Sequence, residues 1–307
     1  MDGVLIIDKP RDYTSFDVVA VSRRLCGQKK IGHTGTLDPM ATGVLPLLLG
    51  RATRAASLLE ETGKEYEAGF SFGLSTDTQD STGSVLAQSG APVPKEKLFA
   101  ALPAFRGEIL QLPPMYSAVQ KDGVRLYTLA RQGITVEREP RPVTIDLLEL
   151  LSYDEASRSG VLRVRCSKGT YIRTLCADLG EALGAYGVMT GLRRTAACGF
   201  TLADAVPLEE ARALSAAGTL AEKVRPVETL FASYPALRVT PAQAARFCNG
   251  GALSLERTVL NGAGAAEGAI FRVQQPGGAF LGLGRVQGQE LAVLRLFAAP
   301  GETGAKQ

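Results

Sequence analysis

The order of apolar and polar positions predicts a chain that mixes strands and helices without a repeating unit. Gly3 to Asp8, apolar through Ile7, reads as a buried strand, followed by Lys9-Pro10 and a turn. Thr14 with Asp17 three residues on marks a helix start, and Phe16, Val19 and Leu25 space an apolar face along 15–26 until Gly27 ends it. Residues 51–61 and 94–105 also read as helical. Ala68, Phe70 and Phe72 alternate as a strand over 66–72 that runs out into a polar stretch, 75–84. Strands are expected at 143–151 and 161–166; on the second, Arg163 and Arg165 share one face, and Leu162, Val164 and Cys166 the other. After a turn at Lys168-Gly169-Thr170, Ile172, Leu175, Leu179 and Leu183 form a helix stripe, with Arg173 off it near the helix start.

No βαβ rhythm and no Gly-rich dinucleotide loop accompany these elements, so the fold class is α+β. Beyond a helix at 207–217, short strands at 270–273, 280–283 and 291–297 alternate with Gly-rich turns. They predict a small β-barrel from about residue 232, with 240–247 as its one helix. Two domains are therefore expected, 1–231 and 232–307, the last residues fraying. Residues 115–142 look like a projecting flap: they are basic and aromatic, with Tyr116, Lys121, Arg125, Tyr127 and Arg131 around an Asp122-Gly123 turn.

Composition mainly excludes. No apolar run approaches the roughly 20 residues of a membrane span, and no basic region precedes the short apolar run at 3–7, which turns acidic at Asp8, so neither a span nor a signal peptide is expected. A cytoplasmic protein follows. Five cysteines (Cys26, Cys166, Cys176, Cys198, Cys248) form no close pair and the chain holds one histidine, which excludes a disulfide framework and a zinc site. There is no phosphate-binding loop of the Walker type and no nucleophile elbow. The net charge of +3 conceals clustering: 156–203 carry seven basic against two acidic residues, and 231–307 seven against four. Local basic surfaces fit a polyanion bound in a defined place, although solvated element faces would give the same counts.

The candidate chemistry lies at 31–50, twenty residues with one formal charge, Asp38. Its loop is punctuated by Gly32, Gly35, Pro39 and Gly43 and runs into the apolar stretch 44–49. A carboxylate beside so apolar a segment is costly unless a cation or several N–H groups meet it. Asp38 before Pro39 equally fits a helix N-cap, in which case His33 is an ordinary turn residue.

Five segments, in order, together resemble one family. Asp8-Lys9-Pro10 with Thr14-Ser15, the loop from Gly32-His33-Thr34-Gly35 through Leu37-Asp38-Pro39 to Gly43, Lys64-Glu65-Tyr66, Ser167-Lys168-Gly169-Thr170-Tyr171-Ile172-Arg173-Thr174 and Leu192-Arg193-Arg194-Thr195 are similar to the successive motifs of the bacterial tRNA pseudouridine-55 synthases, the TruB family. Asp12 stands where that family usually has a turn glycine, and Val188 and Cys198 flank the fifth motif where other residues are commoner.

The resemblance implies a mixed, largely antiparallel sheet of pseudouridine-synthase type with a PUA-like C-terminal module. It implies isomerisation of a uridine in the tRNA T-loop without metal or other cofactor. Asp38 would be the essential aspartate, as nucleophile on the nucleoside or base at the sugar, with Arg173 as its cation. Tyr66 would stack on the uracil or pass a proton at C5, although it also reads as a plain strand tyrosine. His33 would fill the space the flipped base leaves, Tyr171 and Leu192 would line the pocket, and Lys9 with Pro10 would support the Asp38 loop. Arg163, Arg165, Lys121 and Arg125 would grip phosphates. The partner would be tRNA, through its T-stem-loop and its acceptor stem, bound by a monomer. The same motifs leave open a guide-dependent synthase and an RNA-folding factor with incidental catalysis.

Overall fold

Val4 and Ile6 point to one side of the Gly3–Lys9 strand and Leu5 and Ile7 to the other, and none is more than 1% exposed. A strand apolar on both faces must be covered on both. It belongs to a ten-stranded sheet in a computed structural model that describes residues 1–59, 63–261 and 265–298. The hydrogen-bonded order is Val206–Pro207, Gly3–Lys9, Thr42–Leu49, Gly187–Ala197, Lys64–Phe72, Ser159–Cys166, Arg141–Asp154, Gly107–Gln111. Ile31–His33 pairs with Thr42–Leu49, and Phe200–Thr201 with Gly187–Ala197. Two contacts are parallel, Gly3–Lys9 with Val206–Pro207 and Thr42–Leu49 with Gly187–Ala197. The fold is thus α+β with a mixed, largely antiparallel sheet.

One face carries the helices Ser15–Leu25, Ile172–Ala182 and Leu208–Ala216, whose Val18, Leu175, Leu179 and Leu208 pack on Leu5, Leu47, Phe70 and Val164. The first helix begins with the expected capping box: Asp17 N–H donates to Thr14 Oγ1 at 3.0 Å, and Thr14 N–H to Asp17 Oδ2 at 2.8 Å. Such a box is worth about 1 kcal/mol. Ile172–Ala182 lies directly on backbone, since a Cβ on Gly180 would stand 2.3 Å from Gly187 N.

The opposite face, at the Gly3–Lys9 end, packs Val4, Ile6, Val44 and Leu48 against Phe231, Leu283 and Phe297. Leu283 and Phe297 belong to the C-terminal unit, whose strands run in the order Ala236–Arg238, Ile270–Gln274, Phe280–Gln287, Glu290–Leu296, Leu253–Ser254, with the helix Pro241–Cys248 beside them. The sheet curls into a half-barrel, and its Leu296 carbonyl accepts from Arg54 Nη1 at 3.1 Å. Among the described residues no helix is long and apolar enough to cross a membrane.

Several expectations change in detail. The helix expected at 51–61 is a 3-10 helix, Gly50–Leu58; Glu60 and Glu61 lie outside the described residues, as does the C-terminal end from 299. The segment 94–105 divides into an α-helix, Lys95–Ala101, and a 3-10 turn, Leu102–Phe105. Phe16, expected on the apolar face of its helix, is 68% exposed; the buried positions are Ser15, Val18, Val19 and Ser22.

Candidate active site

Asp38 lies in the loop between Ile31–His33 and Thr42–Leu49. No helix follows it, so it caps none; Ala41 N–H closes a turn onto the Asp38 carbonyl at 3.0 Å. Buried side chains bolt this loop down. Ser15 Oγ accepts from Leu37 N–H at 2.8 Å. Lys9 Nζ, with no exposed surface, donates to the carbonyls of Pro10, Tyr13 and Pro39. Asp12 N–H also donates to the Pro39 carbonyl at 2.9 Å, from a residue at φ +65°, the left-handed region that aspartate tolerates. Arg194, fully buried, brackets the loop by donating from Nε to Val44 at 2.7 Å and from Nη2 to Gly35 at 3.2 Å. Gly43, at φ +104°, permits this approach, because a Cβ there would stand 2.2 Å from the Arg194 carbonyl.

The carboxylate meets its cation from the far end of the sequence. Arg173, the second residue of Ile172–Ala182, places Nε 3.0 Å from Asp38 Oδ2. Its side chain is 8% exposed and its other nitrogens are committed: Nη1 to the Thr78 carbonyl at 3.0 Å, Nη2 to the Tyr116 carbonyl at 2.9 Å. Asp80 Oδ2 stands 3.9 Å from Nη1. Asp80 is itself fixed, accepting from Thr78 Oγ1 at 2.8 Å and Thr82 N–H at 2.9 Å. The guanidinium therefore cannot swing away, whereas the Asp38 side chain is 38% exposed and open to a ligand. A fixed cation beside a reachable carboxylate orients that carboxylate toward a ligand.

Tyr66 is buried on Lys64–Phe72, directly across from Arg194. Burial raises its pKa, and the neighbouring Arg194 guanidinium offsets part of that rise. His33 accepts the Gly35 N–H on Nδ1 at 3.2 Å. Burial first, then Arg194 and Lys64, lower its pKa, so the imidazole is neutral at pH 7. Tyr171 precedes the Arg173 helix, its N–H donating to Gln111 Oε1 at 2.9 Å. Leu192 stands opposite Ala68, half-buried, on the Tyr66 side of the sheet.

Arg163 and Arg165 are not brought to this site. Tyr66 pairs with Val164, whereas Glu65 and Glu67 pair with Arg165 and Arg163, so both arginines occupy the other sheet face. Arg163 there pairs with Glu65 at 3.0 Å and Glu149 at 3.6 Å, its side chain 44% exposed. Lys121 and Arg125 sit on an exposed hairpin, Gln120–Lys121 with Val124–Arg125, turning at Asp122 and Gly123. The segment 115–142 reaches the site at its start, through the Tyr116 carbonyl that accepts from Arg173.

Asp80 and Arg194 were missed as site residues. Asp80 sits in a polar stretch that reads as a surface turn, and only tertiary packing buries it. Arg194 lies within the fifth motif, and its full burial appears only in the folded structure. The free thiols of Cys166 and Cys176 are pushed up to about 11 and about 12 by burial, which makes neither a nucleophile.

Lys9 yields a prediction. Lys9→Met removes the donor from three buried carbonyls and should destabilise the protein by about 2–4 kcal/mol in urea unfolding. Burial lowers the Lys9 pKa to about 8. The unfolded chain then holds this proton to higher pH than the folded one, so the Lys9 contribution rises as pH climbs through 8. The stability gap between wild type and Lys9→Met should widen from pH 7 to pH 10; a gap that narrows would contradict the burial of an ammonium there.

An arginine-clamped aspartate in a loop of a mixed sheet, beside a buried tyrosine, defines the pseudouridine synthase class, and the sequence comparisons agree. The TruB family pseudouridylate synthase N-terminal domain matches residues 23–172, the tRNA pseudouridylate synthase B C-terminal domain 173–232, and the pseudouridine synthase II TruB C-terminal domain 235–297. The tRNA pseudouridine synthase B of Azoarcus sp. (strain BH72) is 46% identical, over 97% of this chain and 95% of that protein. That of Pseudomonas fluorescens (strain Pf0-1) is 42% identical over 93% and 92%. Among solved structures, a chain of a Cbf5–Nop10–Gar1 complex superposes with a TM-score of 0.74 at 26% identity, covering 96% of this chain and 85% of that one. The chain belongs to the TruB family of pseudouridylate synthases.

Proposed function

We propose that the chain isomerises the uridine at position 55 of the tRNA T-loop to pseudouridine, with Asp38 as the catalytic carboxylate. The observation that carries this reading is the 3.0 Å pairing of a reachable Asp38 with a buried, fully engaged Arg173. In the reaction the N1–C1′ bond breaks, the uracil turns, and C5–C1′ forms; the C5 proton leaves to solvent and N1 gains one. The exchange is redox-neutral. Asp38 acts at the nucleoside as nucleophile or at the sugar as base. The base must first be extruded from the folded loop, at a cost of a few kcal/mol. His33 occupies the vacated space, Tyr66 stacks on the uracil or passes the C5 proton, and Tyr171 and Leu192 line the pocket.

Residues 1–231 form the catalytic domain. Its flap at about 115–142 grips the T-stem-loop through Lys121 and Arg125, and the C-terminal module from 232 meets the acceptor stem. The protein works as a cytoplasmic monomer. The test is incubation of purified protein with unmodified tRNA carrying 5-tritiated uridine, without guide RNA. Tritium release is expected; its absence would remove the reading. The likeness to a chain from a Cbf5–Nop10–Gar1 complex motivates a second reading, a guide-dependent synthase. Release only after addition of a guide RNA would favour that one.

A further inference from the structure

We propose that Phe16 forms, with His33, a stacking subsite for an unpaired nucleobase on the rim of the Asp38 pocket, receiving a base of the RNA loop that neighbours the target uridine. The proposal rests on the RNA-modifying function above and adds a residue and a ligand contact to it. An exposed phenylalanine alone means little. Phe16 is distinguished by where it stands and how it is held. At 68% exposed it is the most exposed aromatic residue in the described part of the chain. It is the second residue of Ser15–Leu25, and its immediate neighbour Ser15 is hydrogen-bonded to Leu37, the residue before Asp38.

The Thr14–Asp17 capping box fixes the backbone on the other side. It also turns the Asp17 carboxylate back onto Thr14, at 2.8 Å from the N–H and 2.6 Å from the hydroxyl, so that charge is engaged locally. The Phe16 ring meets the His33 imidazole edge to face, with centroids 6.5 Å apart and planes at 85°. That contact braces the ring and leaves most of its surface in solvent. Behind His33 stand the cationic Lys64 and Arg194, the two charges that act on its imidazole.

A rigid, open aromatic face beside a neutral imidazole, backed by positive charge, matches what a splayed nucleobase on a phosphate chain requires. An unpaired base is also what this reaction creates, because extruding one nucleotide removes a stacking partner from the next.

The absence of tryptophan from the chain makes a direct test possible. Binding is measured in an Asp38→Asn background, which blocks turnover, using a T-arm stem-loop RNA. Phe16→Ala should weaken binding between about fivefold and a hundredfold, the range for losing one base–aromatic stack. It should leave the salt dependence of binding unchanged, because no phosphate contact is lost, and it should leave the unfolding midpoint unchanged. Phe16→Trp should retain affinity, and its single tryptophan should be quenched by the stem-loop but not by an RNA duplex lacking the loop. Phe99→Ala, at an exposed ring on another helix, should bind as the parent does. Binding by Phe16→Ala within twofold of the parent, or tryptophan emission unmoved at saturating stem-loop, overturns the subsite. So does a weakened affinity that comes with a lowered unfolding midpoint, which assigns Phe16 to packing. Wild-type tritium release alongside any of these leaves the function standing without the subsite, whereas no release from the wild type defeats the function itself.

Discussion

Asp38→Asn is expected to abolish tritium release from 5-tritiated uridine in tRNA, a loss of at least about a thousandfold, while tRNA affinity stays within a few-fold. Asparagine keeps the size of the side chain and can still accept from Arg173 Nε, but it carries no negative charge to attack a carbon or take a proton. The loop does not depend on that charge for its shape. It is held by Ser15 on Leu37, Lys9 on Pro39 and Arg194 on Gly35 and Val44, none of which the substitution touches. Because the Asp38 side chain is 38% exposed, solvent screens its share of the ion pair, and the stability change should be about 1 kcal/mol or less. Tritium release and filter binding on the same preparation separate chemistry from recognition. Turnover retained by the variant would remove Asp38 from the mechanism. If the inactive variant still promoted tRNA folding as well as wild type does, binding would be a function in its own right.

What could be read from the chain divides by the range of the interactions involved. The Thr14–Asp17 capping box and the alternation through Ala68, Phe70 and Phe72 are local, and both appear in the structure as expected. The strand Gly187–Ala197 lies mid-sheet yet was not anticipated. Bulges between Met189 and Gly191 and between Arg194 and Ala196 break its alternation, and it buries an arginine where a pattern reader expects an apolar residue. Of the apolar positions Phe16, Val19 and Leu25, Val19 is buried and Leu25 packs against the core, whereas Phe16 turns outward. The true buried face includes Ser15 and Ser22, and Ser15 is held inside by its bonds to Leu37 across 22 residues of chain. The face shared by Arg163 and Arg165 was legible, but its orientation away from the site depends on Tyr66 pairing with Val164 in a different strand. Motifs supplied Asp38 and Arg173 as a pair, whereas nothing local in the stretch 75–84 marks Asp80 as the carboxylate behind that arginine.

That position behind the arginine makes Arg173→Met the second large effect. The substitution leaves Asp38 and the 7%-exposed Asp80 in one site without a cation, and strips the donor from the Thr78 and Tyr116 carbonyls. The turnover number should fall at least about a hundredfold, because the carboxylate loses the fixed charge that orients it. KM should move by only a few-fold, since Arg173 faces Asp38 and the protein interior. Breaking a buried pair costs about 3–5 kcal/mol. The lower end is expected here because Asp38 is partly solvated, so most of the loss comes from Asp80 and the two carbonyls. Arg173→Lys should recover only part of both effects, because one ammonium cannot reach Asp38, Thr78 and Tyr116 from one position. The decisive measurement is a double-mutant cycle in urea unfolding. Adding Asp80→Asn to Arg173→Met should restore stability, because it removes the buried charge that the first change left unpaired. If Asp80→Asn instead costs as much in the Met background as in wild type, the two side chains are independent, and Asp80 does not act through Arg173.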